Sequence, residues 1–505
     1  MANTDDLNRT RVRIPLVGVH NTRNLDSTTS SFNASGVVGL GVVGLMVVGR
    51  VASSDKDQRF VNCIIDKIIN PVTNSESYFV LKRPGFASHI VPASGSVGNA
   101  VRVWASQGTG TKIISSFGTT NSTIYDGTTS LGTITGRTLF LDEALIGSTP
   151  TILITSNNQT GWYYQDGGVP TKISDADFPT NITGHFVSMD GYTFIMTTDG
   201  KIYNSDLNSI TSWSSLGFIS AQMYPDFGIG LARYKDQLVA FGKETIEFFH
   251  IEPNATGSPL GRTISTFIRI GCASQQGYVQ MEDTLAWISA TDRGGCSIYM
   301  LEGYVPKRIS SSTIDSQLSF AGPDSVKLRC CKILGKTLIF VIANNLTFVY
   351  SVEEGVWTEW QSQTPLWDDI TVATASGWQV YTISSNLTGG KIYTINPTNF
   401  VYTDDGLEYT MTLQTSKVDT NTNKRKFLSK VEIIGDTQSS GTLHVSWSDD
   451  DYQTFANARS LDISAPRMTL HQCGQFRRRA FKITHSDPTP CRLEAMELEL
   501  TLGRS

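Results

Sequence analysis

Charge is scarce in this chain. Only 17% of its 505 residues are Asp, Glu, Lys or Arg, and they sum to a formal net charge of −5. No basic excess advertises a dedicated nucleic-acid-binding domain. The signatures of chemistry are missing too. The seven histidines (His20, His89, His185, His250, His444, His471, His485) show no HxH or HExxH spacing, and neither a GxSxG elbow nor a phosphate-cradling P-loop occurs. The seven cysteines are odd in number, scattered and without a CxxC pair, which argues against disulfides and zinc alike. No catalytic residue, metal or cofactor is therefore expected, and the chain does not read as an enzyme.

A spanning hydrophobic run is also lacking. The longest apolar stretch, GVVGLGVVGLMVVGR, meets its first charge at Arg50, short of the about 20 residues a transmembrane helix needs. It starts at Gly36, behind an opening MANTDDLNRTRV with no basic n-region, so it does not read as a secretory signal. Its glycines scatter over every face of a helix or strand, leaving both sides apolar. Gly36, Val37, Val38, Leu40, Val42, Val43, Leu45, Met46, Val47 and Val48 are accordingly expected to be buried against protein, as an oligomer or partner interface. Stable membrane insertion is not expected.

What the chain does have is Thr, Ser, Gly and Asn in abundance and 10% aromatics, a mix suited to many short strands joined by tight turns. From about residue 100 one pattern recurs: an apolar strand, a turn of Asp, Gly or Asn, a second apolar strand, another turn, and a short strand ending in an aromatic. VSMDGYTFIMTTDGKIYNSD (187–206), ARYKDQLVAFGKETIEFFHIE (232–252) and WQVYTISSNLTGGKIYTINP (378–397) are three examples. Recurrence every 35 to 50 residues predicts an all-β fold, a β-propeller of about six to seven blades. After Asp404 longer alternating strands predict a C-terminal β-sandwich. The expected domains are 1–56, an N-terminal segment holding the Gly/Val-rich insertion; 57–403, the propeller; and 404–505, the sandwich.

Propellers also host glycosidases. Ser448-Asp449-Asp450-Asp451-Tyr452-Gln453-Thr454-Phe455 resembles the Asp-box turn of sialidases, with Tyr452 at the glycine position, but that turn is structural. Carboxylate pairs such as Glu244/Glu247 and Asp368/Asp369 read as turn residues, since nothing sets them across a cleft. Two basic runs remain. Lys424-Arg425-Lys426 reads as a solvated hairpin tip. Arg477, Arg478 and Arg479 enter the apolar strand AFKITH, so alternation turns at least one of them toward a packed surface, where it needs a carboxylate or a phosphate. An intersubunit or intramolecular ion pair and a DNA phosphate contact both satisfy that need.

Three phrases carry a family resemblance. DQRFVNCIIDKIIN…YFVLKRPGF (57–86), YKDQLVAFGKETIEFFHIE (234–252) and RIGCASQQGYVQMEDTLAWISATDRGGCSIYMLEG (269–303) resemble, in order and spacing, segments of the packaged-DNA stabilisation proteins of short-tailed bacteriophages, the tail hub or nozzle. The resemblance implies a virion protein of the tail, assembled in the host cytoplasm as a homo-oligomeric ring, usually six-fold, below the portal and adaptor ring proteins. Tail fibre, spike or needle proteins would be its other neighbours. Such a ring continues the DNA channel, contacts viral DNA without sequence specificity, and retains the genome until ejection. It transfers no residue-level site. The chain departs from the family between RIPLVG and DQRFVN, where about thirty residues including the Gly/Val run intervene. A glycan-binding or glycan-cleaving propeller acting on host polysaccharide is the alternative.

Overall fold

The strands gather into two compact units in this computed structural model, which describes residues 9–15 and 58–503 apart from 70–75, 107–109, 225, 253, 255–256, 283, 291–294, 345, 364–365, 374–377, 386–388 and 421. One unit is Phe86–Thr347 with Thr364–Asn399, and the other is Met1–Gly85 with Phe348–Gln363 and Phe400–Ser505.

The first unit is a β-propeller. Four-stranded antiparallel meanders at 98–134, 138–172, 182–220, 228–268 and 278–308 form blades 1 to 5. The hairpin of Lys327–Ile333 and Lys336–Ala343 begins blade 6. Blade 7 is made of Asp369–Ala373, Gln379–Ile383 and Ile392–Ile395, and its fourth strand is Ala87–Ile90 from the other end of the unit. That exchange closes the ring with backbone hydrogen bonds. The second strands are apolar on both faces, as in Thr149–Ser156 and Lys336–Ala343, where six consecutive residues are buried, because each blade is covered by a neighbour on either side. Tight two-residue turns set the register. Asp190-Gly191 and Leu334-Gly335 hold positive φ at both positions, the type I′ geometry that matches the strand twist. The helix Ser312–Ala321 follows blade 5, capped by the Ser311 hydroxyl and buried through Thr313, Ile314 and Leu318.

The second unit is a β-sandwich. One sheet runs Cys63–Ile69, Glu76–Lys82, Arg492–Leu502, Lys426–Gly435 and Met468–His471, with Arg9–Pro15 and Gln475–Phe476 paired alongside. The facing sheet runs Arg59–Val61, Met411–Gln414, Ala480–His485, Thr442–Ser448 and Arg459–Asp462. Here buried and exposed positions alternate along Lys426–Gly435 and Arg492–Leu502, since one face meets the core and the other does not. Phe60, Val80, Met411, Val431, Val445, Ile483 and Leu498 fill the space between the sheets. Residues 58–69 and 76–85 therefore pack with the C-terminal strands and not with the propeller expected from sequence. Pairing of Val80 and Leu81 with Leu493 and Arg492 is the physical reason.

The propeller channel and the candidate interfaces

The first strands of the seven blades converge on a cavity of about 570 Å³. Polar groups around it pair from blade to blade. Arg102 Nε meets Glu143 Oε1 at 2.7 Å, and Asp142 Oδ1 meets His185 Nδ1 at 2.7 Å while its Oδ2 accepts from the Phe186 N–H at 3.0 Å. Gln280 accepts from the Arg233 N–H at 3.1 Å, and Lys332 Nζ lies 2.7 Å from Glu282. Asp369 bonds Arg329 Nε at 2.7 Å and the Val101 N–H at 2.8 Å, linking blades 6, 7 and 1. Tyr278, on blade 5, passes over Gly230 on blade 4 to accept the His185 N–H on blade 3 at 3.2 Å. The carboxylates of this ring are thus engaged in holding blades together. The two carboxylate pairs considered above have similar duties: Asp368 bonds Lys327 and the Ser385 N–H, and Glu247 is buried against Arg262. Among the described residues no group of three or more His, Cys, Asp or Glu is placed to hold a metal ion.

Two of the phrases that carry the resemblance are structural ties. In FGKETIE, the Asp226 carboxylate accepts from the N–H groups of Glu244 at 2.7 Å and Thr245 at 2.8 Å. Glu247 accepts from the Met223 N–H at 2.8 Å and meets Arg262 Nε at 3.0 Å, so the phrase fixes the connection between blades 3 and 4. Burial raises the Glu247 carboxyl above its ordinary range, against the pull of the Met223 N–H and Arg262. In KRPGF, Arg83 is fully buried in the sandwich unit and every N–H of its guanidinium is used. Nε bonds Asn62 Oδ1 at 3.0 Å, Nη1 bonds Asp404 Oδ1 at 3.0 Å and the Pro84 carbonyl at 3.1 Å, and Nη2 bonds Asp404 Oδ2 at 2.5 Å and the Gln361 carbonyl at 3.1 Å. The Tyr409 ring lies 3.9 Å from the guanidinium carbon. Gly85 follows because a Cβ there would stand 2.1 Å from the Thr403 carbonyl oxygen.

The arginine run divides. Arg477 and Arg478 lie exposed in a bend before the strand, and Arg479 alone points inward, so the strict alternation expected from sequence does not apply. Arg479 makes an intramolecular pair with Asp449, both bonds 2.7 Å, adds a bond to the Cys473 carbonyl at 2.5 Å, and packs on Phe476 and Trp447. Asp449 keeps 43% side-chain exposure and can be rehydrated. Arg479→Ala is therefore expected to cost about 2–3 kcal/mol, while Arg477→Ala and Arg478→Ala stay within about 0.5 kcal/mol of the parent in denaturant unfolding.

The other basic run departs from the solvated turn expected of it. Lys426 is buried, its ammonium bonding the carbonyls of Thr422 at 2.6 Å, Lys424 at 3.1 Å and Arg477 at 2.7 Å. Together with a bond from Arg477 to the Asn423 carbonyl, it draws two runs fifty residues apart into one patch. Lys424, Arg425, Arg477 and Arg478 are exposed there. The Asp-box-like turn forms as such. Asp450 accepts from the Thr454 hydroxyl at 2.5 Å, the Thr454 N–H at 3.0 Å and the Ser448 hydroxyl at 2.8 Å, bonds that hold its carboxyl at about 2, and Tyr452 takes the glycine position at φ 66°. Gly36 to Val48 lie outside the described residues. No helix among the described residues is long and apolar enough to cross a membrane.

The chain thus folds as a propeller whose channel charges pair from blade to blade and a sandwich tied by a buried arginine. A family model described as "Bacteriophage P22 Gp10, beta-propeller" matches residues 85–371, more than half of the chain. The chain belongs to this phage stabilisation family and is a bacteriophage structural protein. Among solved structures it is similar to a streptogramin B lyase (13% identity, TM-score 0.40, covering 63% of this chain and 97% of that one). It is also similar to the computationally designed Ika8 protein (10% identity, TM-score 0.38, covering 61% and 99%). The comparison with curated proteins finds no match.

Proposed function

We propose that this protein is a non-enzymatic component of the tail of a short-tailed phage, a hub ring that continues the DNA channel below portal and adaptor and retains the packaged genome until ejection. The observation that carries the reading is the family match over residues 85–371, reinforced by the RPG phrase at its start, Arg83–Gly85. The committed carboxylates of the channel agree with a structural rather than catalytic role. The exposed patch of Lys424, Arg425, Arg477 and Arg478 is suited to sequence-independent phosphate contact. Particles assembled without the protein are expected to package DNA and then lose it, measured as nuclease-accessible genome in purified heads. Particles that keep their DNA and fail only to adsorb would replace the hub role with a receptor-binding one.

In this reading the run Gly36 to Val48 is an assembly surface, covered by a second copy or by an adjoining ring protein. Deleting residues 36–49 is expected to leave the thermal unfolding of the purified chain nearly unchanged while weakening ring formation, read by native mass spectrometry. A deletion that unfolds the chain would make the segment part of its core.

A further inference from the structure

Trp378 stands at the rim of the channel cavity with 53% of its surface exposed, between blade 7's first two strands. Its φ of 66° lies in the left-handed region, which a bulky residue seldom occupies. Trp287 and Trp360 are buried in their units, at 0% and 1% exposure, and burial does not account for Trp378 in the same way. Lys332 Nζ lies 5.9 Å from its ring centroid and pairs with Glu282, itself 71% exposed. Arg102 and Glu143 face the same cavity as a second half-exposed pair. His185, with Nδ1 taken by Asp142, has no hydrogen-bond partner for Nε2 among the described residues.

The lining selects by exclusion. Its four cations (Arg102, Arg233, Arg329, Lys332) are matched by four carboxylates (Asp142, Glu143, Glu282, Asp369), so a phosphate or other polyanion gains nothing there. A wholly apolar ligand would strip water from these ion pairs without replacing its hydrogen bonds. What fits is a neutral molecule with an apolar face and a fringe of hydroxyls: C–H groups against the indole, hydroxyls donating to Glu143, Glu282 and the imidazole Nε2 and accepting from Arg102 and Lys332. The volume lies within the range of about 300–1,000 Å³ usual for small-ligand sites. We infer that the channel mouth at Trp378 is a saccharide-binding site for a neutral pyranose segment, as a bacterial surface polysaccharide would present. This goes beyond the proposed tail role, and is independent of whether the protein retains DNA.

The full chain is to be screened on an array of bacterial surface oligosaccharides, and the retained structures titrated calorimetrically. The wild type is expected to retain at least one neutral oligosaccharide, with Trp378→Ala weakening it at least tenfold and Trp378→Phe less. The exposed indole leaves the melting temperature of both variants at the wild-type value, which separates lost binding from lost fold. Retention of none, or equal binding by Trp378→Ala, overturns the inference. So does a single-stranded dT oligonucleotide that binds in a Trp378-dependent manner where the oligosaccharides do not, since the indole is then a base-stacking platform.

Discussion

Arg83→Ala is expected to lower the stability of the sandwich unit by about 3–5 kcal/mol, a large share of the 5–15 kcal/mol typical of a folded domain. The loss is this large because both partners are buried: Arg83 is 0% and Asp404 3% exposed, so removing the guanidinium takes the bidentate counter-charge from a carboxylate that water hardly reaches. The same change leaves Asn62 Oδ1 and the carbonyls of Pro84 and Gln361 without their donor, although Asn62 still accepts from the Gln361 N–H at 2.8 Å. Tyr409, whose hydroxyl donates to the Arg83 carbonyl and whose ring covers the guanidinium, loses the group it packs against. Arg83→Lys is not a remedy. Three donors on a rotatable stem replace five in a planar fork, and the bidentate contact to Asp404 cannot be rebuilt. The pair Arg83→Met with Asp404→Leu is expected to recover most of the loss, since no charge is then stranded. Denaturant unfolding of all four proteins checks this. A single Arg83→Ala protein within 1 kcal/mol of wild type would mean that the knot between 62, 83, 361 and 404 is not what holds this unit.

The propeller was legible because its signal is local. A strand buried on both faces reads as an unbroken apolar run, and VSMDGYTFIMTTDGKIY repeats that run with a turn residue at each reversal. What joins distant residues was not legible. Nothing in ASHI announces that it completes a blade with Ile392–Ile395, because edge pairing leaves no mark on either sequence. The hairpin Cys63–Lys82 alternates like any other, and only its partner, Arg492–Leu502, assigns it to the sandwich. The phrases FGKETIE and KRPGF stood out as phrases, yet their purpose lay in Asp226, Arg262 and Asp404, which lie outside both. Period-two reasoning on Arg477 to Arg479 correctly required one inward arginine, but it assumed a strand where the chain bends. Lys426 was read as solvated because a lysine normally is, and the three carbonyls that accept its protons are a product of loop geometry. Trp378 carries no sequence signal at all, since exposure and backbone angle are visible only in three dimensions.

Gly230→Ala is expected to disrupt the propeller unit as sharply as any single methyl group could. A Cβ at this position would lie 2.2 Å from the Tyr278 hydroxyl oxygen, 2.9 Å from Cζ and 3.0 Å from Cε1, far inside van der Waals contact. The ring has nowhere to go: Tyr278 is 2% exposed, stacked on Phe241 at 4.7 Å and edge-on to His185 at 5.5 Å. On its far side a Cβ on Gly184 would come within 2.5 Å of Gly230 Cα, so the two glycines together form the slot through which blade 5 reaches blade 3. Overpacking of a rigid core costs about 1–3 kcal/mol and occasionally more. Gly230→Ala is placed at the top of that range, because relief requires either the loss of the Tyr278–His185 bond or the parting of two blades. Tyr278→Phe alone should cost about 1 kcal/mol, the worth of one buried hydrogen bond. Combined with Gly230→Ala it removes the 2.2 Å clash but leaves the two ring carbons, so the double variant is expected to be more stable than the sum of the single losses while remaining below wild type. Thermal unfolding of the three variants reads this coupling directly. Strict additivity would show that the glycine is needed for some reason other than the passage of Tyr278, and that the polar circuit around the channel does not depend on this slot.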